Sequence, residues 1–373
     1  MINLSNADPG RLPVSIITGF LGSGKTTLLN HLLQQPSMAN SAVIINEFGE
    51  IGIDHMLVST PAENMVLLNS GCLCCTLRGD LVETLGDLYS KRAGGQVPPF
   101  ANVVVETTGL ADPVPIIQTV VTDEEMARFY TLHDVVTLVD GAHGMEQLDR
   151  NAESVKQAAV ADALLITKTD LTERGEIAAL RERLARVNPG AEVYEVVRGA
   201  IDPARLFRGV IYDPATKAPD VERWLKEEAF ARADEHSTDH PHGHHHDVNR
   251  HDDHIRAFCF YYDRPIQRAG FVMWLDMLAS LRGANLLRVK GLLNVEGDPV
   301  VIQAVQSIVH EPVLLDSWPS PDRRSRIVVI ARDMEREEFE RTFEAFELAP
   351  PPSKPGIDPE TYARFLQAMK GFR

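Results

Sequence analysis

Positive charge, cysteine and long apolar runs are all scarce in this sequence, and each shortage excludes something. Lys and Arg number 37 against 53 Asp and Glu, a formal charge of −16. That balance denies the chain the broad basic footprint that nucleic acid or anionic lipid requires. No apolar run approaches the ~20 residues needed to cross a bilayer. Met1-Ile2-Asn3-Leu4-Ser5-Asn6 lacks a basic region followed by an apolar one. Neither a membrane nor a secretory signal is therefore expected, and the cytoplasm is the expected address. Four cysteines in 373 residues make no disulfide framework, and clustered thiols in a reducing compartment more often bind metal. Internal repeats are absent too.

The composition is that of a globular protein, 44% hydrophobic and 24% charged, long enough for one large domain and one smaller one. Short apolar runs recur at Pro13–Thr18, Ala42–Asn46, Met65–Leu68, Val103–Val105, Val135–Val139, Leu164–Thr167 and Val193–Val197. Helical spacing separates several of them, at Thr26–Gln35, Asp80–Arg92, Pro113–Val121, Ala152–Val160 and Glu173–Val187. Such alternation predicts an α/β domain over 1–213, with a mostly parallel sheet and helices on both faces. Residues 214–254 read as a polar, mobile linker holding eight of the 13 histidines, His236 to His254. Its imidazoles have no fixed spacing, so it is either a weak, plural metal binder or a solvated connection. A smaller α+β domain is predicted over 255–348: strand 255–262, helix 267–281, strand 286–295, a turn at Gly297-Asp298, strand 300–309, strand 326–331 and helix 335–346. This order fits an antiparallel sheet with helices on one face. A proline-rich tail with a short helix fills 349–373.

Gly19-Phe20-Leu21-Gly22-Ser23-Gly24-Lys25-Thr26 lies between a predicted strand and a predicted helix, the setting of a phosphate-binding loop. Gly19, Gly22 and Gly24 let successive N–H groups curl inward around phosphates, and the following helix adds its positive end. Lys25 is expected to reach the β- and γ-phosphates and Thr26 to sit on Mg²⁺, with Thr27 close to the α-phosphate. Glu106, ending the run Val103–Val105, suits the far side of the Mg²⁺ shell, and Gly109 can bring a backbone N–H to the γ-phosphate. Thr167-Lys168-Thr169-Asp170 follows another strand. Asp170 can accept from guanine N1–H and the 2-amino group, which adenine cannot supply, while the Lys168 stem lies along the base. Asn is the usual residue where this chain has Thr167. Lys25, Thr26 and Glu106 are the candidate catalytic residues for GTP hydrolysis.

Cys72, Cys74 and Cys75 fill three of four consecutive positions. Three thiolates can occupy three corners of a tetrahedron and select Zn²⁺ or Cu(I) over Mg²⁺. No second pair of ligands completes a closed structural site, which suits a metal that leaves. Cys259 reads as a small core residue. Between the two motifs, Glu50 is either a further metal ligand or a solvated loop carboxylate, and Glu47 either part of the Mg²⁺ shell or the same.

Taken together, TGFLGSGKTTLLN (18–30), NEFGEIGID (46–54), NSGCLCCTLRGDL (69–81), ETTGLADP (106–113) and TKTD (167–170) resemble the CobW-like metal-chaperone GTPases. Those are relatives of the urease and hydrogenase nickel-insertion GTPases. The likeness runs over nearly the whole chain and implies a P-loop GTPase domain followed by a CobW-like C-terminal domain. It implies GTP, GDP and Mg²⁺ as ligands, and Zn²⁺, with Co²⁺ as the alternative, taken up at the cysteines and delivered to a client metalloprotein. It also implies that residues 76–79 lie near the nucleotide. Ile45 stands where some members carry a glutamate. Neither a hydrolytic base nor an arginine finger is evident, so slow, client-stimulated turnover is expected. The C-terminal domain is the expected client surface, with Arg288 and Lys290 either exposed candidates for that contact or plain strand-surface charge. The oligomeric state is open, a dimer included. Rival readings are a cobalt-handling GTPase of cobalamin synthesis, a metal-storage or sensor protein regulated by GTP, and a small-molecule kinase.

Overall fold

The computed structural model describes residues 11–46, 66–70, 77–207, 254–280 and 285–347. Cys72, Cys74, Cys75, Glu47, Glu50, the tail and all of the histidine tract except His254 lie outside the described residues.

The chain opens with β1 (Leu12–Gly19), α1 (Lys25–Leu33), β2 (Ser41–Asn46), β3 (Val66–Ser70), α2 (Leu77–Ala93), β4 (Asn102–Glu106), α3 (Val114–Thr122) and α4 (Met126–Phe129). It continues through β5 (Tyr130–Asp140), α5 (Gly144–Arg150), α6 (Ala152–Val160), β6 (Ala163–Thr167), α7 (Arg174–Val187), β7 (Glu192–Val196) and α8 (Pro203–Leu206). All seven strands are parallel, in the order β3-β2-β4-β1-β5-β6-β7. Both faces of such a sheet are covered, so the inner strand β6 (ALLIT) is buried throughout, while the edge strand β7 (EVYEV) is mixed. Leu28, Leu29, Leu32 and Leu33 line one face of α1 and are fully buried, each contributing about 1.5–3 kcal/mol by leaving water. The sheet is α/β, as the alternation predicts. The ligand crevice of an open parallel sheet lies beyond the carboxyl ends of the strands, where successive connections leave in opposite directions. Here that point is the end of β1, flanked by β4 and β5.

The second unit contains β8 (Ile255–Tyr262), α9 (Arg268–Ser280), β9 (Leu286–Val295), β10 (Asp298–Val305), β11 (Ile308–Val309), β12 (Val313–Leu314), β13 (Ser325–Arg332) and α10 (Arg336–Glu340). Its antiparallel sheet runs β11-β10-β9-β13-β8, with β12 beside β10. One face packs against α9, α10 and a terminal 3-10 turn through Trp274, Phe339, Phe343 and Phe346. The other face lies on the first domain: Ala257, Leu287, Leu292, Val301 and Val328 join Val155, Ala158, Leu180 and Leu184 in one continuous core. Val305 and Ile308 reach a second core that contains Leu12, Val135 and Val160.

Several boundaries differ from the sequence reading. The run 300–309 is broken by a two-residue turn at Gln306-Ser307, with Gln306 at φ 53°. Glu296 and Gly297, both at positive φ, make the preceding turn, so Asp298 already belongs to β10. The last helix becomes a 3-10 turn from Arg341. Arg288 and Lys290 are not exposed: they are 4% and 6% accessible, because the sheet face that bears them is covered by the first domain. A register shift between Ile330 and Ala331 leaves Leu287 without a partner on β13. This bulge lets Leu287 and Arg288 both face the first domain.

Candidate nucleotide site

The phosphate loop owes its shape to glycine. Gly19, Gly22 and Gly24 take φ of 141°, 73° and 95°, which side chains rarely adopt. A Cβ on Gly19 would lie 2.4 Å from the Leu138 carbonyl, whereas one on Gly22 would meet nothing within 4 Å. The loop is pinned to β5 at its start and open at its crest. Gly24 caps α1 without a side-chain hydrogen bond, and no acidic residue occupies the first turn. The positive helix end therefore remains for an anion. Lys25 Nζ donates to the carbonyls of Gly19 (2.9 Å) and Phe20 (3.3 Å), which holds the ammonium inside the loop. Ser23 is fully buried, and its hydroxyl has no hydrogen-bond partner among the described residues. Thr26 is half-buried and Thr27 exposed in the first turn of α1.

Around this loop the strand ends converge. Glu106, 6% accessible, ends β4 beside Ile17 of β1. Thr107 Oγ1 donates to Thr18 Oγ1 at 2.8 Å and locks the two strands together. Gly109 then brings its backbone onto the phosphate loop. A Cβ there would lie 2.7 Å from Leu21 N and 2.8 Å from Leu21 Cα, so only glycine fits. The hydroxyl of Thr26 and the carboxylate of Glu106 are hard oxygen donors, and with the glycine cradle they fit Mg²⁺ and a phosphate chain.

On the other side, Thr167 Oγ1 donates to the Ser23 carbonyl at 2.7 Å. Lys168 adopts φ 55° and pairs with Asp140 at 2.7 Å. Burial works to raise the Asp140 carboxyl, but the Lys168 hydrogen bond and the N–H groups of Ala142 and His143 prevail and hold it below the ordinary carboxylate value. Asp170 is exposed in the following 3-10 turn, its carboxylate open to solvent. The sequence reading passed over two contributors. Asp140 ends its strand as Val139-Asp140-Gly141, the same signal that singled out Glu106. Arg198-Gly199, after β7, carries successive positive φ angles, and a Cβ on Gly199 would lie 2.7 Å from the Thr27 carbonyl. That loop forms another wall of the crevice. Among the described residues no group of three or more His, Cys, Asp or Glu converges as a metal site, and no helix is long and apolar enough to cross a membrane.

A phosphate loop at the switch point of a parallel sheet, with further loops closing on it, defines a P-loop nucleotide-binding protein. Residues 13–195 match the CobW/HypB/UreG nucleotide-binding domain, and residues 255–347 match the cobalamin synthesis protein cobW C-terminal domain. The chain is 33% identical over 334 residues to the zinc chaperone YjiA of Escherichia coli, covering 89% of this chain and 98% of that one. It is 29% identical over 362 residues to the zinc chaperone CobW of Pseudomonas aeruginosa, covering 87% and 89% respectively. The crystal structure of the Zn(II)-bound YjiA GTPase from E. coli superposes with a TM-score of 0.65 at 28% identity, over 91% of this chain and 99% of that one. This chain belongs to the CobW/HypB/UreG family.

Proposed function

We propose that this protein is a GTP-hydrolysing metallochaperone that loads Zn²⁺ on Cys72, Cys74 and Cys75 and releases it to a client metalloprotein. The observation that carries the reading is a register. Asn46 lies across from Ser70, Ile45 across from Glu106, and Glu106 across from Ile17. β3 is thus three strand spacings, about 14 Å, from the strand that bears the phosphate loop. Cys72 follows Ser70 by two residues in the chain. That the cysteine motif directly follows a strand of the same sheet supports a rearrangement shared between its loop and the phosphate-sensing loop. The zinc-chaperone relatives, matched over nearly their full lengths, support the choice of metal, and the Zn(II)-bound YjiA GTPase supports that of guanine nucleotide.

In this reading the loop N–H groups, the end of α1 and Lys25 hold the phosphates. Thr26 and Glu106, with Glu47 as a further candidate, would hold Mg²⁺, which would supply neutralisation of the phosphate charge. Gly109 meets the γ-phosphate through its backbone. Asp170 accepts from guanine, and Lys168, oriented by Asp140, flanks the base. Three thiolates, with Glu50 as a candidate fourth ligand, leave an incomplete shell from which metal can transfer. Metal and nucleotide affinities are then reciprocally coupled.

The direct test is Cys74→Ala. The variant is expected to lose tight Zn²⁺ uptake while binding GDP as the unaltered chain does. Tight uptake that survives the substitution would move the metal to the histidine tract and overturn the assignment.

A further inference from the structure

The helix α6 holds the Gly109 loop with its middle and the second domain with its C-terminal end. Toward its middle, Gln157 is buried at 1% accessibility. Its Nε2 donates to the carbonyls of Gly109 (3.3 Å) and Ala111 (2.9 Å), on the loop that abuts Leu21. The Gln157 carbonyl accepts from Thr137 Oγ1 at 2.8 Å, which fixes this residue to β5. Its neighbour Lys156 pairs with Asp112, farther along the same loop. Three residues after Gln157 the helix ends at Val160, whose carbonyl accepts from Arg288 of the second domain. Arg288 also pairs with Asp162, and Lys290 binds the same carboxylate at 3.0 Å. Leu287 and Leu292 pack in one core with Val155, Ala158 and Ala159 of the helix.

A nine-residue helix in a close-packed core moves as a unit. The seating of the second domain on Val160 therefore fixes where Gln157 offers its two donors. A loop that senses a γ-phosphate has two arrangements, with and without it. In the arrangement seen here the Gly109 and Ala111 carbonyls are satisfied by Gln157. A loop that withdraws from Leu21 must leave buried donors and acceptors unpaired or drag α6 along. We propose that α6 is the element through which the second domain biases the phosphate-sensing loop, with Gln157 as the positioning residue and Arg288 as the clamp. This rests on the GTP-binding reading.

The test compares the affinities of the full chain for GDP and for a non-hydrolysable GTP analogue, in the unaltered protein and in folded Gln157→Leu, Lys156→Ala and Arg288→Lys. Gln157→Leu is expected to lower the preference for the triphosphate roughly tenfold, the scale of two lost buried hydrogen bonds, with GDP affinity little changed. Arg288→Lys is too short to span both partners. It is expected to lower the preference in the same direction by about threefold, although it touches neither the loop nor the nucleotide. Lys156→Ala, on a more accessible side chain, covers the case in which Gln157→Leu does not fold, and is expected to act in the same direction. An unaltered chain that bound neither nucleotide would sink the GTP reading and this inference with it. Normal binding with an unshifted preference in Gln157→Leu, or in Lys156→Ala if it stands in, would overturn the inference alone. So would a shift in those variants with none in Arg288→Lys.

Discussion

The Thr167 hydroxyl donates to the Ser23 carbonyl at 2.7 Å, tying the base-side loop directly to the phosphate loop. Thr167 also reaches the Val139 carbonyl at 3.3 Å. The residue that departs from the usual Asn is thus a bridge between loops. Thr167→Val keeps the shape and removes the donor. It is expected to cost about 1–2 kcal/mol of stability, because buried carbonyls lose their partner, and to weaken nucleotide binding several-fold. Thermal unfolding and a fluorescent-nucleotide titration read the two effects. Unchanged values in both would reduce the bridge to coincidence.

Gly109→Ala sets a methyl group against Leu21 N and Cα at 2.7–2.8 Å. Backbone cannot give way as a side-chain tip can, so the loop must lift. The expected cost of such overpacking is about 1–3 kcal/mol, seen as a roughly tenfold or greater loss in GTP turnover, with GDP binding largely kept. Single-turnover hydrolysis beside GDP titration separates the two. Wild-type turnover would show that the contact is dispensable.

Asp162 is the anion between two buried cations of the second domain. Burial raises its carboxyl, but Arg288 and then Lys290 outweigh that and lower it below the ordinary value. Its contribution to stability is present above the unfolded carboxylate value and is lost as pH falls through the lowered folded one. Burial holds Lys290 down to about 8, against an ordinary 10.5. Between those values the unfolded chain binds more protons, so stability rises with pH across the window. Lys290→Met is expected to abolish that rise and to be near neutral at pH 7. Asp162→Ala removes the carboxylate that faces two buried cations and is expected to cost roughly 3–5 kcal/mol. Urea unfolding across pH checks both. A mild Asp162→Ala would contradict the clamp.

His310 sits at the same junction, its Nε2 shut off from solvent and without a partner among the described residues. Burial, then the charge of Arg288, pushes its imidazole from 6.5 down to about 4. The unfolded chain takes up the proton first, so stability falls as pH drops from 6.5 toward 4. His310→Asn is expected to flatten this part of the stability profile. An unchanged slope would assign it to other groups.

Much of the first domain was legible because its signals are local. The phosphate loop, the leucines of α1 and the strand-end residues Glu106 and Gly109 each need only a short window of sequence. The fate of Arg288 and Lys290 needed more. Charges on alternate strand positions read as a solvent face, yet that face is covered by α6 and α7, and the bulge at Leu287 shifts the alternation by one. The turn at Gln306-Ser307 was equally hidden: it lacks the Gly or Asn that normally marks positive φ. The Gln157 bond to Gly109 joins residues 48 apart in sequence and has no local signature at all.

In the proposed cycle the thiolate site and the phosphate site communicate. The most direct measurement of that coupling is a competition titration of Zn²⁺ against a chromophoric chelator, with the chain loaded first with GDP and then with a non-hydrolysable GTP analogue. The expected result is a Zn²⁺ affinity that differs between the two states by about fivefold or more, the lower end of ordinary allosteric coupling. Equal affinities in both states would contradict the account.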